Sequence, residues 1–246
     1  MVAQTSPSLA FSQRFGGGKK QVGKRGWKME KDSEIISIWN GTTDDGWYKN
    51  CEYELTIKTA EHLASFAEKV NAGTNFSGQV VKLNANIMLN DTTNWQDWAN
   101  SKPANEWIPI GTPTNPFSGT FNGNGFIVSG VYINNSEDDH KGLFGVVSKK
   151  ATIKNLGIVA SYIKGKNHTG GLIGDNDGEV SNCYSIVIVT GQENVGWLVG
   201  CNQGNIDNSH SIGIITGIKN EISEFVGLNR GSLRNNYYSK INKQNL

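Results

Sequence analysis

Residues 171–191 read GLIGDNDGEVSNCYSIVIVTG, and 26 residues further along residues 197–217 read WLVGCNQGNIDNSHSIGIITG. A shorter third copy, FVGLNRGSLRNNYYS, occupies residues 225–239. The copies align through two rows of glycine, one row of aliphatic residues and two rows of asparagine: Gly174/Gly200/Gly227, Gly178/Gly204/Gly231, Val180/Ile206/Leu233, Asn176/Asn202/Asn229 and Asn182/Asn208/Asn235. A period of this length, with β-forming residues between glycines, is typical of a solenoid whose repeats contact only their neighbours.

The segments between the glycines alternate in the manner of half-buried strands. Equivalent residues of the first two copies pair as Ile186/Ile212, Val187/Gly213 and Ile188/Ile214. We interpret the isoleucines as facing the core, and Val187 and Gly213 as facing outward, because a two-residue alternation indicates one buried face. The sequence therefore predicts an all-β fold, a right-handed parallel β-helix of about six coils. The hand follows the general preference of parallel crossovers.

The two rows of asparagine are predicted to be structural ladders. Asparagine tolerates left-handed turns, and its amide can bond to the same amide one coil away. The predicted rungs are Asn176, Asn202 and Asn229 in one row and Asn182, Asn208 and Asn235 in the other. A catalytic role for these rows is the alternative, but a residue that recurs once per coil is more typical of a scaffold.

The chain is expected to comprise three regions. Residues 1–34 are basic, lack the apolar stretch of a secretory signal and are predicted to be a flexible leader or linker. Residues 35–116 are predicted to form an N-terminal cap with one helix and the first strands, and residues 117–246 the β-helix repeats. The helix, residues 59–72, has apolar residues at spacings of three and four and a threonine at its start, and would cover the end of the solenoid.

Composition restricts the classes of partner. The 246 residues include 30 glycines and carry a net charge of +1, but the positive charge is concentrated in the leader and the remainder is net acidic. This distribution argues against a nucleic-acid partner. No stretch approaches the ~20 apolar residues of a membrane span.

Several ordered motifs between residues 35 and 238 carry a family resemblance: TIKTAEHLASFAEKVNAGTNFSG, WIPIG, FSGTFNGNG, GLFG, ATIKNLG, GGLIGDNDGEVSNCYS and WLVGCNQGNIDNS. This pattern resembles the GLUG-repeat proteins of bacterial surfaces, which include repeat regions beside IgA-specific metallopeptidases and in haemagglutinin-like adhesins. The sequence departs from the pattern at Trp197, where glycine is expected, and at Phe225-Val226. The resemblance implies that residues 117–246 are GLUG-type β-helix repeats of an extracellular or cell-surface module. It brings no catalytic residue.

Motifs for catalysis and metal binding are absent from the sequence. There is no HExxH or GxSxG, and none of the four histidines is paired with another at the short spacing typical of metal ligands. Asp138-Asp139-His140 is interpreted as a polar loop rather than a cation site. We therefore predict no catalytic residue, no metal and no cofactor.

Two classes of function fit these observations. The first is a non-catalytic surface module, an adhesin, spacer or ligand-display domain, whose partner would be a host or cell-surface glycan or protein and which could be part of a longer polypeptide. The second is a carbohydrate-active β-helix enzyme, a polysaccharide lyase or glycosidase, for which Asp175 and Asp177 are the available acids. Trp95, Trp98 and Trp107, in the longest irregular stretch, are the candidate ligand-binding residues because indole faces stack on sugars. The alternative is that these tryptophans cover the core.

Overall fold

The computed structural model describes residues 37–217 and 222–240. All of the described residues belong to one compact unit. The predicted leader, residues 1–34, lies outside the described residues.

The secondary structure consists mainly of short strands. In the described part of the chain, one α-helix, α1, spans Ala60–Asn71, and a 3-10 turn spans Trp95–Asp97. The first ten strands are β1 Glu54–Ile57, β2 Val80–Leu83, β3 Ile87–Met88, β4 Thr120–Asn122, β5 Ile127–Ser129, β6 Tyr132–Asn134, β7 Phe144–Val147, β8 Thr152–Lys154, β9 Gly157–Lys164 and β10 Asn167–Gly170. The others are β11 Ile173–Asn176, β12 Glu179–Ser181, β13 Tyr184–Gly191, β14 Glu193–Gly196, β15 Val199–Asn202, β16 Asn205–Asp207, β17 His210–Gly217, β18 Ile222–Ser223, β19 Val226–Asn229, β20 Ser232–Arg234 and β21 Tyr237–Lys240.

The strands stack into a parallel β-solenoid, as predicted. One sheet contains seven strands in the order β1-β2-β4-β8-β12-β16-β20, and every pairing in it is parallel. Three further parallel sheets have the orders β3-β5-β9-β13-β17-β21, with β6 also paired to β9, then β7-β11-β15-β19 and β10-β14-β18. The seven-stranded sheet gives about seven turns, one more than the predicted six. The additional turn begins at β1, within the region that the sequence analysis assigned to the cap.

The predicted helix is present and lies between β1 and β2. Thr59 caps it, since its hydroxyl accepts a hydrogen bond of 3.2 Å from the backbone N–H of His62. Its apolar face is fully buried, and the ring of Phe66 lies 5.5 Å from Phe117 and 5.6 Å from Phe121, between ring centroids. The helix therefore closes the first turns of the solenoid with an aromatic core. The same core cluster continues from Trp47 to Val226.

The predicted strand register is confirmed, but the predicted phase is wrong. The register pairs Ile186 with Ile212, Val187 with Gly213, and Ile188 with Ile214. Val187 is fully buried in the main core, whereas Ile188 packs on the outer surface of its sheet. Gly213 also faces inward, and a Cβ there would lie 2.8 Å from Trp197 Cδ1. The Trp197 ring thus occupies the core space that the glycine leaves free. The inward row consequently carries smaller side chains than the outward row, so residue size misleads the assignment.

Candidate functional site

The three candidate tryptophans do not form one surface. Trp95 and Trp98 pack outside the solenoid in what we call the outer aromatic cluster: Trp95, Trp98, Tyr132, Tyr162 and Ile188. Trp107 lies in the main core instead, where its indole N–H donates a 3.1 Å hydrogen bond to the carbonyl of Leu143. All three are buried, with exposed fractions of 8%, 4% and 3% respectively. None of the three presents a free indole face to solvent.

An open cleft lies beside the outer aromatic cluster. This Trp98 cleft has a volume of about 290 Å³, and its lining includes Trp39, Trp98, Asn94 and Lys102. Asn105 supports its wall, because the Asn105 amide donates to the carbonyls of Trp39 and Leu89 at 2.7 and 3.1 Å. The cleft is thus lined by two indoles together with amide and ammonium groups.

One row of asparagines forms a continuous hydrogen-bonded ladder. The Asn176 amide donates to Asn202 Oδ1 at 2.7 Å, and the Asn202 amide donates to Asn229 Oδ1 at 2.7 Å. Asn176 and Asn202 are fully buried. Each amide also bonds to the carbonyl of the glycine two residues later. These hydrogen bonds join the row into the ladder arrangement that the scaffold interpretation predicts.

The second asparagine row occupies left-handed corners. Asn182, Asn208 and Asn235 have φ angles of 53°, 49° and 52°, and Asn155 extends the row with 54°. Asn182 donates to Asn155 Oδ1 at 3.2 Å, but Asn208 and Asn235 donate to Asp207 instead of to each other. This row therefore supplies backbone conformation, and only part of it forms an amide ladder.

A cluster of polar side chains appears where the sequence analysis expected none. His140, His168 and Asp175 bring one potential ligand atom each to within 4.8 Å of the others, and we call this the His-Asp cluster. His140 Nε2 lies 3.8 Å from Asp175 Oδ2, and His168 Nδ1 lies 3.4 Å from the same oxygen. The two imidazoles meet edge to face with ring centroids 5.0 Å apart.

The solenoid itself brings these residues together. His140 and His168 occupy equivalent corners of successive turns, and Asn194 occupies the same corner one turn later. All three have left-handed backbones, with φ angles of 58°, 51° and 55°. Each corner presses against a glycine of the next turn. A Cβ at Gly174 would lie only 2.6 Å from the carbonyl carbon of His140. The glycine row Gly174/Gly200/Gly227 therefore makes room for this corner.

The environment of the His-Asp cluster shifts the pKa values of His140 and Asp175. Burial, followed by the neighbouring His168, lowers the pKa of the His140 imidazole, although Asp175 and Asp139 act in the opposite direction. Burial also disfavours the ionised form of Asp175, but His168, His140 and the Cys201 thiol outweigh it and leave the pKa of this carboxyl below its usual value. The neutral form of the His140 imidazole and the ionised form of the Asp175 carboxyl are thus both favoured.

Two atoms of the cluster have unsatisfied hydrogen-bonding capacity. Asp175 Oδ1 and His168 Nδ1 are buried, and neither makes a hydrogen bond within the described part of the protein. His168 Nδ1 is close to Asp175 Oδ2 but is not aligned for a hydrogen bond. Buried polar atoms without partners are rare in folded proteins.

His140 and His168 lie close together although their sequence spacing is not the two to four residues typical of paired metal ligands. In a solenoid, neighbours in space lie one turn apart in sequence. His140 and His168 are 28 residues apart, close to the repeat period of 26. That spacing was the signal by which the pair could have been found.

The comparisons with known proteins give two partial similarities. The chain is 37% identical over 79 residues to a protein of Evansella cellulosilytica named putative Gly-rich membrane protein, a match that covers 31% of the chain and 9% of that protein. It is 30% identical over 158 residues to Halomucin of Haloquadratum walsbyi, covering 62% of the chain and 2% of that protein. No family model matches the chain, and no solved structure matches it. Among the described residues, no helix is long and apolar enough to cross a membrane.

Proposed function

We propose that this chain is a non-catalytic repeat module of an extracellular or cell-surface protein, serving as a spacer or as an adhesive, ligand-displaying domain. The observation that carries the proposal is the asparagine ladder. The polar side chains that recur at this position are hydrogen-bonded to each other and to the backbone, and two of the three are fully buried. The most regular polar residues of the repeat therefore connect successive turns of the solenoid.

The comparisons support a surface location. One similar protein is named as a Gly-rich membrane protein and the other as Halomucin, and the matched stretches form only 9% and 2% of those proteins. We propose that the chain plays the part of one module in a protein of this kind. The Gly-Leu-x-Gly units support a GLUG-type repeat, because the structure gives their second glycine a packing role.

The Trp98 cleft is the surface that we propose for ligand display. Its indoles, amides and ammonium group match the chemistry of a glycan, which offers apolar ring faces and many hydroxyls. Because Trp98 is only 4% exposed, the proposed contact depends mainly on the polar side chains that line the cleft. Asn94 and Lys102 line it with exposed side chains.

A glycan-array screen tests this proposal. The wild-type protein is compared with an Asn94→Ala/Lys102→Ala variant and with a control, Lys150→Ala, which removes an exposed ammonium from a turn outside the cleft. We expect binding to a defined glycan class that the double variant loses and the control retains. Equal binding by both variants would refute the proposal that the Trp98 cleft binds the glycan. If the wild-type protein binds no glycan, the spacer is the function that remains.

A carbohydrate-active enzyme is the second candidate, and one observation favours it. Burial and the charge of Asp175 raise the pKa of Asp177, whereas the pKa of Asp175 is lowered, and carboxyl groups shifted in opposite directions are used in acid-base catalysis. We expect no reducing ends or unsaturated products from polygalacturonate or alginate, and no peptides from casein. Turnover by the wild-type protein that is lost in both Asp175→Asn and Asp177→Asn would show that the chain is a lyase or hydrolase and not a non-catalytic module.

A further inference from the structure

We propose that His140, His168 and Asp175 bind a divalent transition-metal ion, with Zn²⁺ as the best-fitting common ion. This inference goes beyond the surface-module function, because nothing in that function requires a metal. It depends on the placement of three side chains at one corner of the solenoid.

The ligand types select the class of metal. Two imidazole nitrogens and one carboxylate oxygen suit zinc and its transition-metal neighbours, whereas calcium and magnesium prefer sites made of oxygen alone. Zinc also accepts three protein ligands with the fourth position open to water. The His140, His168 and Asp175 side chains are 25%, 27% and 18% exposed, so an ion can reach them.

The distances fit a metal after a small closure. Zinc bonds of about 2.0–2.1 Å in tetrahedral geometry place ligand atoms about 3.3–3.5 Å apart. Asp175 Oδ2 is already 3.4 Å from His168 Nδ1 and 3.8 Å from His140 Nε2. All three atoms lie within 4.8 Å, so rotations of the two partly exposed imidazoles suffice to close the set.

The unsatisfied atoms point independently to a ligand. His168 Nδ1 lies 3.4 Å from Asp175 Oδ2 without the alignment of a good hydrogen bond, and Asp175 Oδ1 is buried without a hydrogen-bond partner. A cation bound by the nitrogen, with a water that contacts the second carboxylate oxygen, would satisfy both atoms.

The nearby charges permit a cation. Lys141 follows His140 directly, but its ammonium is paired with Asp138 at 3.2 Å. The carboxylate of Asp175 leaves the cluster with a net negative charge when both imidazoles are neutral, and a divalent ion would reverse that sign.

A comparable pair elsewhere in the protein provides the control. His62 Nε2 lies 3.3 Å from Asp44 Oδ2, so this pair reproduces one histidine-carboxylate contact without a second histidine. Within the described residues, the His-Asp cluster is the one group of three such side chains close enough to share an ion.

Isothermal titration of the full chain with Zn²⁺ tests the proposal. The variants are His140→Asn, His168→Asn and Asp175→Asn, with His62→Gln as control. Asparagine suits positions 140 and 168 because Asn194 adopts the same left-handed backbone one turn later, with φ 55°. We expect one ion per chain and an affinity reduced roughly 100-fold or more in each cluster variant, since loss even of an outer-shell partner costs 10–100-fold. The control should bind as the wild type does.

A second measurement needs no stable variant. Imidazole resonances of the wild-type protein are followed by NMR as Zn²⁺ is added. The resonances of two of the four histidines should move together and saturate at one equivalent. The proposal is refuted if the cluster variants retain wild-type affinity, if His62→Gln weakens binding equally, or if no histidine resonance moves.

Discussion

Asn202 is the central rung of the asparagine ladder, and its removal is the most direct test of how the turns are held together. Its side chain makes three hydrogen bonds: it accepts from Asn176 at 2.7 Å, donates to Asn229 at 2.7 Å and donates to the carbonyl of Gly204 at 3.2 Å. The residue is fully buried, so water cannot replace these partners without opening the corner.

The expected cost of Asn202→Ala follows from this count. A neutral hydrogen bond contributes about 1 kcal/mol net, and a buried partner left unsatisfied costs about 1–3 kcal/mol. Three lost bonds, with the Asn176 amide still held by its second bond to Gly178, give a loss of about 3–4 kcal/mol. Asn229→Ala removes two bonds at an exposed position and should cost about 1 kcal/mol.

Urea denaturation followed by far-UV circular dichroism measures these differences, provided that the dependence of the unfolding free energy on urea is unchanged between variants. Asn202→Asp serves as an isosteric control. It keeps the bond from Asn176 but turns an acceptor oxygen toward Asn229 Oδ1, so it should destabilise at least as much as alanine. If Asn202→Ala and Asn229→Ala lower the free energy of unfolding equally, or if Asn202→Asp leaves it unchanged, the ladder side chains stabilise the fold only by filling space.

Three further outcomes are expected. Val187→Asp should destabilise the protein by more than about 4 kcal/mol because it buries an unpaired charge, whereas Ile186→Asp, on the partly exposed outer face, should cost far less; equal losses in thermal melts would refute the corrected phase. A thiol reagent at pH 8 should modify Cys51 alone before unfolding and all three thiols after it, because two thiols are buried with pKa values raised by burial to about 12 and about 11: Cys183 and Cys201. The pKa of Asp45 is lowered, first by its hydrogen bond with Lys69. Its stabilising effect is therefore present above the unfolded pKa of about 3.9 and lost as pH falls through the folded pKa, so an acid titration should show a smaller loss in Asp45→Asn.

The stacking of the turns could be predicted because the repeat fixes it. Aligning Asn176 with Asn202 in sequence is equivalent to stacking them in space, and the observed register follows that alignment residue for residue. Helix α1 could also be predicted from the sequence, since Thr59 and the spacing of the apolar residues that follow are local signals. These features depend on residues whose partners lie at a known sequence distance.

The inward face of the strands and the His-Asp cluster depend on contacts that aligning the repeat copies does not reveal. Val187 faces the main core, where the ring of Trp197 occupies the space beside Gly213, while the outer aromatic cluster covers part of the outward face. Both faces of β13 are thus apolar, and alternation alone cannot separate them. His140 was assigned to a loop because its partner, His168, lies a full turn away.

The asparagine ladder also explains how this chain tolerates turns of unequal length. Asn176, Asn202 and Asn229 are consecutive partners in one sheet, although 26 and 27 residues separate them. The ladder thus holds one corner of the solenoid in register although successive turns differ in length. A solenoid built in this way can lengthen or shorten individual loops, and so vary its surface, without shifting the alignment of the turns that follow.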